Sequence, residues 1–192
     1  MTTSKKPPTI RSNRFKEFIR VRFLSGHIRN IPADQKTLDL GCGWGFSFRI
    51  NPSFHGLDAD ADCVKYCQGQ GFKVVQGDLL MPLPFPRGHF DNCFTHDVLE
   101  HFELEHLDLI FQHVHEILRP GGVFINAIPN RLGYDYGLRV NSGHKHYVTP
   151  EEVRDVAKRT GFKYQGYVSS PFPEVFNKFY SHNKYVTYCE RI

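Results

Sequence analysis

Short apolar segments alternate with longer amphipathic segments along most of the 192-residue chain. An apolar run of four to six residues, bounded by turn-forming residues, is typical of a strand buried on both faces. Five such runs are expected to form strands, and two further strand-like stretches end the chain: Thr37–Cys42, Phe54–Leu57, Lys73–Gln76, Phe90–Thr95 and Val123–Ile128, followed by Tyr164–Ser169 and Tyr185–Cys189.

The amphipathic segments predict helices between these strands. The clearest has one apolar stripe and is expected to end at the Arg-Pro-Gly-Gly sequence of residues 119–122. Thr149 to Glu152 form a capping box with proline at the first helical position, which predicts a helix that stops at Gly161. Two other segments, Ala61–Gln68 and the basic Arg14–Ile28, also have helical spacing.

This alternation predicts the α/β class, with a single Rossmann-like, doubly wound sheet of about seven strands, mostly parallel. In such sheets, ligands bind beyond the carboxyl ends of the strands, near the point where the strand order reverses. The polar and glycine residues discussed below all follow a predicted strand, so they are expected to meet at that edge.

Charge divides the chain into an appendage and a body. Residues 1–30 contain eight of the 24 Lys and Arg and one of the 20 Asp and Glu, so residues 31–192 are mildly acidic. We therefore expect residues 1–30 to form a basic lead and covering helix, and residues 31–192 to form the domain. Because the body lacks a basic face, no nucleic-acid partner is expected.

The chain shows neither a secretory signal nor an apolar run long enough to span a membrane, and its five cysteines suit buried thiols. A cytoplasmic location is expected. The basic segment Arg14–Ile28 also permits peripheral contact with anionic lipid. The sequence gives no indication of the oligomeric state.

A glycine-rich turn follows the first predicted strand, in the sequence Asp39-Leu-Gly41-Cys42-Gly43-Trp-Gly45. Alternate glycines allow the backbone to turn sharply and a ligand to lie directly on the main chain. The dinucleotide pattern GxGxxG fits less well, since Phe46 occupies the position of its third small residue.

This turn resembles the first motif of class I methyltransferases that use S-adenosylmethionine (SAM). Later landmarks appear in the same order and resemble the small-molecule branch that includes ubiquinone and menaquinone biosynthesis enzymes: Asp58, Gly77-Asp78-Leu79, the segment from Leu83 to Asp91, Val98-Leu-Glu-His101 and Leu118-Arg-Pro-Gly-Gly122. The resemblance implies SAM as the cofactor and a last strand that runs antiparallel to the others.

The resemblance also implies which residues bind the cofactor. The glycine turn lies against the methionine part, Asp58 holds the ribose hydroxyls, and Asp78 with the next backbone amide holds adenine. The implied set is Asp39, Gly41, Cys42, Gly43, Gly45, Asp58, Ala59, Asp78, Leu79 and Thr95.

Methyl transfer from a sulfonium needs little beyond alignment of the acceptor, and a base only if the acceptor must lose a proton. His96 and His101 follow the fourth strand, where related enzymes meet substrate, and either is a candidate base. Asp97, Glu100 and His101 match a set that looks like a magnesium site in ubiquinone O-methyltransferases. Because magnesium prefers oxygen ligands, we expect no metal here.

Acceptor specificity is expected to come from the segment after the fifth strand, with Tyr134, His144, His146 and Tyr147 as candidate substrate residues. We therefore expect methyl transfer from SAM to an oxygen or nitrogen of a small molecule. Two alternatives stay open: a catalytically silent SAM-binding partner subunit, and a methyltransferase that acts on RNA or protein.

Overall fold

A computed structural model describes residues 26–129, 143–170 and 184–192. Within them lie four α-helices and seven strands. The helices are α1 (Gly26–Arg29), α2 (Ala61–Gly69), α3 (Leu107–Ile117) and α4 (Pro150–Arg159). The strands are β1 (Thr37–Leu40), β2 (His55–Asp58), β3 (Lys73–Gln76), β4 (Phe90–His96), β5 (Leu118–Pro129), β6 (Phe162–Ser170) and β7 (Lys184–Arg191).

All seven strands form one sheet in the order β3-β2-β1-β4-β5-β7-β6. β1 lies in its middle and pairs in parallel with β2 on one side and with β4 on the other. β7 is antiparallel to both of its neighbours, β5 and β6. The predicted fold class and the antiparallel last strand are therefore confirmed.

Apolar side chains fill both faces of the sheet. Helices α3 and α4 cover one face, where Phe111 and Val153 are fully buried. On the other face, α1 and α2 contribute Ile28 and Cys67, which lie in one cluster with Phe94. Two covered faces explain why all four residues of the central strand β1 are buried.

Two local predictions needed correction. The Arg-Pro-Gly-Gly sequence does not end a helix before a separate strand, because α3 stops at Ile117 and β5 already begins at Leu118. Leu118 of β5 pairs with Phe90 of β4, and Val123 pairs with Asn92. The Arg-Pro-Gly-Gly sequence between Leu118 and Val123 is therefore an irregularity within β5. A Cβ on Gly122 would lie 2.8 Å from the Arg119 carbonyl oxygen, which explains the glycine there.

The segment after the glycine turn forms only a 3₁₀ helix, Ser47–Arg49, as its shortness predicted. A second correction concerns Val98 to His101, which was expected to start the helix after β4. It contains the 3₁₀ helix Leu99–His101, and α3 begins only at Leu107. No helix within the described ranges is long and apolar enough to cross a membrane.

Candidate cofactor site

The glycine turn after β1 is held in a conformation that favours glycine. Gly41 and Gly45 have φ angles of +76° and +77°. The backbone amides of Gly41 and Cys42 both donate to the Leu57 carbonyl oxygen, at 2.8 and 3.1 Å. A Cβ on Gly41 would lie 2.7 Å from a Val98 methyl group. Glycine at this position therefore lets the turn pack closely against Val98, just after β4.

Asp58 joins the glycine turn to the end of β2. Its Oδ2 accepts a hydrogen bond from the Gly43 amide at 2.7 Å, and its Oδ1 accepts one from the Asp60 amide at 2.9 Å. Each carboxylate oxygen has two lone pairs, so each can accept a further hydrogen bond. The half-buried carboxylate thus orders the turn and still presents two acceptors to a ligand.

A cavity of about 240 Å³ opens between the turn and the ends of β2, β3 and β4. The residues that line it were largely expected from the sequence: Gly41, Leu57, Asp58, Ala59, Gly77, Asp78, Leu79, Asp97, Val98, His101 and Phe102. Three of them are aspartates, and none of the described lining residues is Lys or Arg. The wall is therefore acidic and suits a ligand with positive charge and hydroxyl groups.

At the end of β3, Asp78 is exposed and shapes a turn at the cavity wall. Its Oδ1 accepts from the Leu80 amide at 2.9 Å. The neighbouring Leu79 is buried, and its carbonyl oxygen lies 3.0 Å from Nδ1 of His113. Asp78 therefore stabilises a turn through Oδ1, and its Oδ2 faces no donor among the described residues.

Five of the expected cofactor residues do not line the cavity. Gly43 is one of them, and its amide donates to Asp58 Oδ2. Cys42 and Gly45 belong to the turn, and the thiols of Cys42 and Cys67 both face the Gly43 carbonyl oxygen. Thr95 is fully buried and donates to Asn126 Oδ1 at 3.0 Å. The cavity wall therefore does not include these residues.

The fifth residue, Asp39, is buried under the turn and accepts a hydrogen bond from the Ser47 hydroxyl. Burial raises the pKa of this carboxyl group to about 7. The Ser47 hydrogen bond lowers this pKa, and the Asp58 charge raises it. Desolvation disfavours the charged form of an acid, so Asp39 is partly protonated near neutral pH. Its position indicates a role in supporting the loop through Ser47.

Of the two candidate bases, only His101 lines the cavity. Its ring is exposed, and Nδ1 lies 3.4 Å from the Gly143 carbonyl oxygen. If Nδ1 carries the hydrogen, Nε2 has a lone pair available for a proton. His96 has a side chain only 12% exposed, and its ring packs 5.3 Å from the ring of His27.

The described substrate candidates form two groups. His144 lies beside the cavity residue His101, with ring centroids 5.1 Å apart, and 3.9 Å from the buried Glu100. These three residues place one ligand atom each within 4.8 Å of one another, which is compact enough for an ion. Only one of the three supplies oxygen ligands, so magnesium is not favoured and the expectation of no metal stays a prediction.

The other group surrounds the start of α4. His146 Nε2 lies 2.9 Å from Glu152, the residue that completes the capping box with Thr149. The Tyr147 ring lies 6.2 Å from that of His144. His146 thus contacts the helix cap and not the cavity. Tyr134 lies outside the described residues.

Sequence reasoning missed the role of Asp97 in the cavity wall and the residue that holds it. Asp97 has a φ of +57°, the one positive value among the described residues that are not glycine. Such a conformation costs on the order of 1 kcal/mol and is found most often at functional sites. Its carboxylate pairs with Lys184, which is 87 positions away and only 4% exposed. No local pattern indicates a partner at that distance.

The residues of the cavity fit SAM. The glycine turn forms part of the cavity wall through Gly41, which has no side chain to occupy the cavity. Asp58 has acceptors for a pair of vicinal hydroxyls, and the acidic wall suits a ligand with a sulfonium and an ammonium group.

Comparisons with known proteins agree with this geometry. Residues 38–126 match the model of a family described as a methyltransferase domain. A solved structure of a SAM-dependent methyltransferase from Archaeoglobus fulgidus superposes with a TM-score of 0.72, at 18% identity, over 92% of this chain and 94% of the other.

Three curated relatives share shorter regions. A probable SAM-dependent methyltransferase of Mycolicibacterium smegmatis is 26% identical, over 68% of this chain and 53% of its own. Phosphoethanolamine N-methyltransferase of Plasmodium falciparum is 24% identical, over 68% and 54%. A tRNA (carboxymethyluridine(34)-5-O)-methyltransferase of Schizosaccharomyces pombe is 32% identical, over 48% and 40%. The chain thus spans about half the length of these relatives.

Proposed function

The chain belongs to the class I SAM-dependent methyltransferases, and we propose that it transfers the methyl group of SAM to an oxygen or nitrogen of a small-molecule acceptor. The observation that carries the proposal is the acidic cavity at the glycine turn, where Gly41, Asp58 and Asp78 meet. A relative that methylates a small amine, phosphoethanolamine, supports the acceptor class. The five described cysteines are buried free thiols, which suits the proposed cytoplasmic location.

In the proposed reaction, SAM supplies an electrophilic methyl group with a good leaving group. The protein has to hold the cofactor and align the acceptor. Asp58 binds the hydroxyl pair while its other lone pairs keep Gly43 and the turn in place. His101 takes the proton of a hydroxyl or ammonium acceptor through Nε2, because Nδ1 faces the Gly143 carbonyl.

RNA is the second candidate acceptor, and one comparison favours it. The relative that acts on tRNA is the most similar of the three in identity, although its match covers only 48% of this chain. Against RNA stands the charge of residues 31–192, which contain 16 Lys and Arg and 19 Asp and Glu. RNA-binding surfaces normally carry a basic face.

The acceptor class can be tested with SAM carrying a labelled methyl group. The purified full-length chain is incubated with three fractions of a cell extract: small molecules, total RNA and protein. We expect label in the small-molecule fraction. The matched control is Gly41→Val, which places a side chain against Val98 and should remove labelling from every fraction.

Label that resists protease, is released by nuclease and depends on Gly41 would replace the small-molecule proposal with the RNA candidate. SAM binding without transfer to any fraction would favour the silent partner subunit. If SAM does not bind at all, the assignment of the cavity itself is wrong.

A further inference from the structure

The end of β4 has an unusual arrangement of charges beside the cofactor cavity. Asp97 follows the last residue of β4, and its amide donates to the Ala127 carbonyl oxygen of β5 at 3.1 Å. The positive φ of Asp97 turns the chain out of the strand at this point. Asp97 lines the cavity together with Gly41 and Val98, near the glycine turn.

Lys184 reaches this wall because β7 is antiparallel. The first residue of an antiparallel strand lies at the edge where its parallel neighbours end, and Lys184 pairs there with Pro129, the last residue of β5. Its ammonium group contacts Asp97 Oδ1. A lysine that is 4% exposed is costly unless its charge is matched, so this pair is a specific feature of the site.

Two histidines lie beside the pair. His96 Nε2 lies 3.9 Å from Asp97 Oδ2, and the His27 ring packs against that of His96. Burial lowers the pKa of His27 to about 3, the Lys184 charge lowers it too, and the Asp97 charge raises it. His27 is therefore neutral at neutral pH.

We propose that Lys184 is a positioning residue, which fixes the Asp97 carboxylate at the cavity wall so that this carboxylate binds the cationic methionine end of SAM. The inference rests on the proposed function and deepens it. Asp58 and Asp78 lie at the ends of β2 and β3, and Asp97 is the acid at the end of β4, beside the glycine turn. Asp97 is 28% exposed, so a ligand can reach it while Lys184 holds it.

A carboxylate at this point favours the cofactor over the spent product. SAM carries a sulfonium charge that S-adenosylhomocysteine lacks, whereas both carry the ammonium group. An anion beside the methionine end therefore attracts SAM more strongly. Asp97 gives the site a preference for SAM over S-adenosylhomocysteine, and this preference depends on Lys184.

Calorimetry with SAM and with S-adenosylhomocysteine tests this without knowledge of the acceptor. Asp97→Asn should weaken SAM binding at least tenfold and weaken S-adenosylhomocysteine binding clearly less. Lys184→Met should weaken SAM binding about fivefold or more, and Lys184→Arg should restore most of it. In Asp97→Asn/Lys184→Met the loss should not exceed that of Asp97→Asn alone, because Lys184 acts through Asp97.

Two exposed residues provide matched controls. Lys163→Met and Asp155→Asn remove the same groups from the surface and should leave both affinities unchanged. Thermal melting separates folding from binding. If Lys184→Met alone fails to fold, the double variant, which contains no uncompensated carboxylate, and Lys184→Arg still report on the pair.

Equal weakening of SAM and S-adenosylhomocysteine by Asp97→Asn, or no weakening, would overturn the role of Asp97. Additive losses in the double variant, or tighter SAM binding by Lys184→Met, would overturn the positioning role of Lys184. Wild-type protein that binds neither ligand would instead refute the proposed function.

Discussion

Replacement of Asp58 by alanine is the most direct test of the cofactor site. The carboxylate accepts hydrogen bonds from the Gly43 and Asp60 amides, at 2.7 and 2.9 Å, and is expected to accept two more from the ribose of the cofactor. Alanine removes all four acceptor positions. The glycine turn then loses its tie to β2 at the same time as the ligand loses its hydroxyl partners.

The size of the effect follows from the number and setting of these bonds. A hydrogen bond to a charged group is worth about 1.5–3 kcal/mol when its partner is left buried and unpaired. Asp58 is half-buried, so water replaces part of what is lost. We therefore expect the binding free energy of S-adenosylhomocysteine to weaken by about 1–3 kcal/mol, which is roughly 5- to 150-fold in Kd.

Isothermal calorimetry measures this loss, with a matched control two residues away. Asp60 accepts a hydrogen bond from the Asp62 amide at 2.9 Å and caps α2, but it does not line the cavity. Asp60→Ala should lower the stability of the fold by about 1 kcal/mol and leave the Kd within twofold. Asp58→Ala with an unchanged Kd, or Asp60→Ala with an equal loss, would refute the reasoning. Tight binding of NAD would refute the cofactor assignment.

Four further predictions follow from the site and its surroundings. Gly41→Val should abolish S-adenosylhomocysteine binding measured by calorimetry, because the new side chain meets Val98. Gly71→Ala is the control and should keep binding, since no atom lies within 4 Å of the new Cβ. Equal affinities of the two variants would contradict this prediction. The raised pKa of Asp39 means that its protonated form stabilises the fold below the unfolded value of 3.8, and that this contribution is lost as the pH rises toward 7. Asp39→Asn should therefore gain in melting temperature relative to wild type between pH 5 and pH 8, and a constant difference would be the contrary result. Deletion of residues 1–25 should leave the affinity for S-adenosylhomocysteine within threefold, since the described cavity residues begin at Gly41. The deletion should reduce turnover at least tenfold if this segment covers the acceptor. Full turnover would exclude the covering role. Finally, EDTA should leave turnover unchanged, and a loss restored by a divalent ion would assign a metal to Glu100 and its two histidine neighbours.

The sequence predicted the elements well because their causes are local. The capping box at Thr149 set the start of α4, and the shortness of the segment after Gly45 predicted a short first helix. The mostly parallel sheet was predicted from the alternation of elements, and the antiparallel last strand from resemblance. Boundaries were less accurate: β5 begins at Leu118 because this residue already pairs with Phe90, before the Arg-Pro-Gly-Gly irregularity.

The site was predicted in part for the same reason. Local motifs place Gly41, Asp58 and Asp78 at or just after the end of a strand, so these residues meet at one edge of the sheet. Asp39 belongs to the same motif but points below the turn to Ser47, because alternate residues of a strand face opposite sides. Lys184 lies at the beginning of an ordinary strand, and only the antiparallel pairing of β7 with β5 brings it to the cavity. Such a partner requires tertiary structure.

The reversed direction of β7 also bears on how enzymes of this type can diversify. β5 and β6 end at the same edge of the sheet, and β7 begins there, so residues 130–142 and 171–183 are both attached at the edge that holds the cofactor cavity. The described strand pairing and apolar clusters are formed by residues outside these two stretches. Grafting the two stretches from a relative is therefore a practical test of whether they carry its substrate preference.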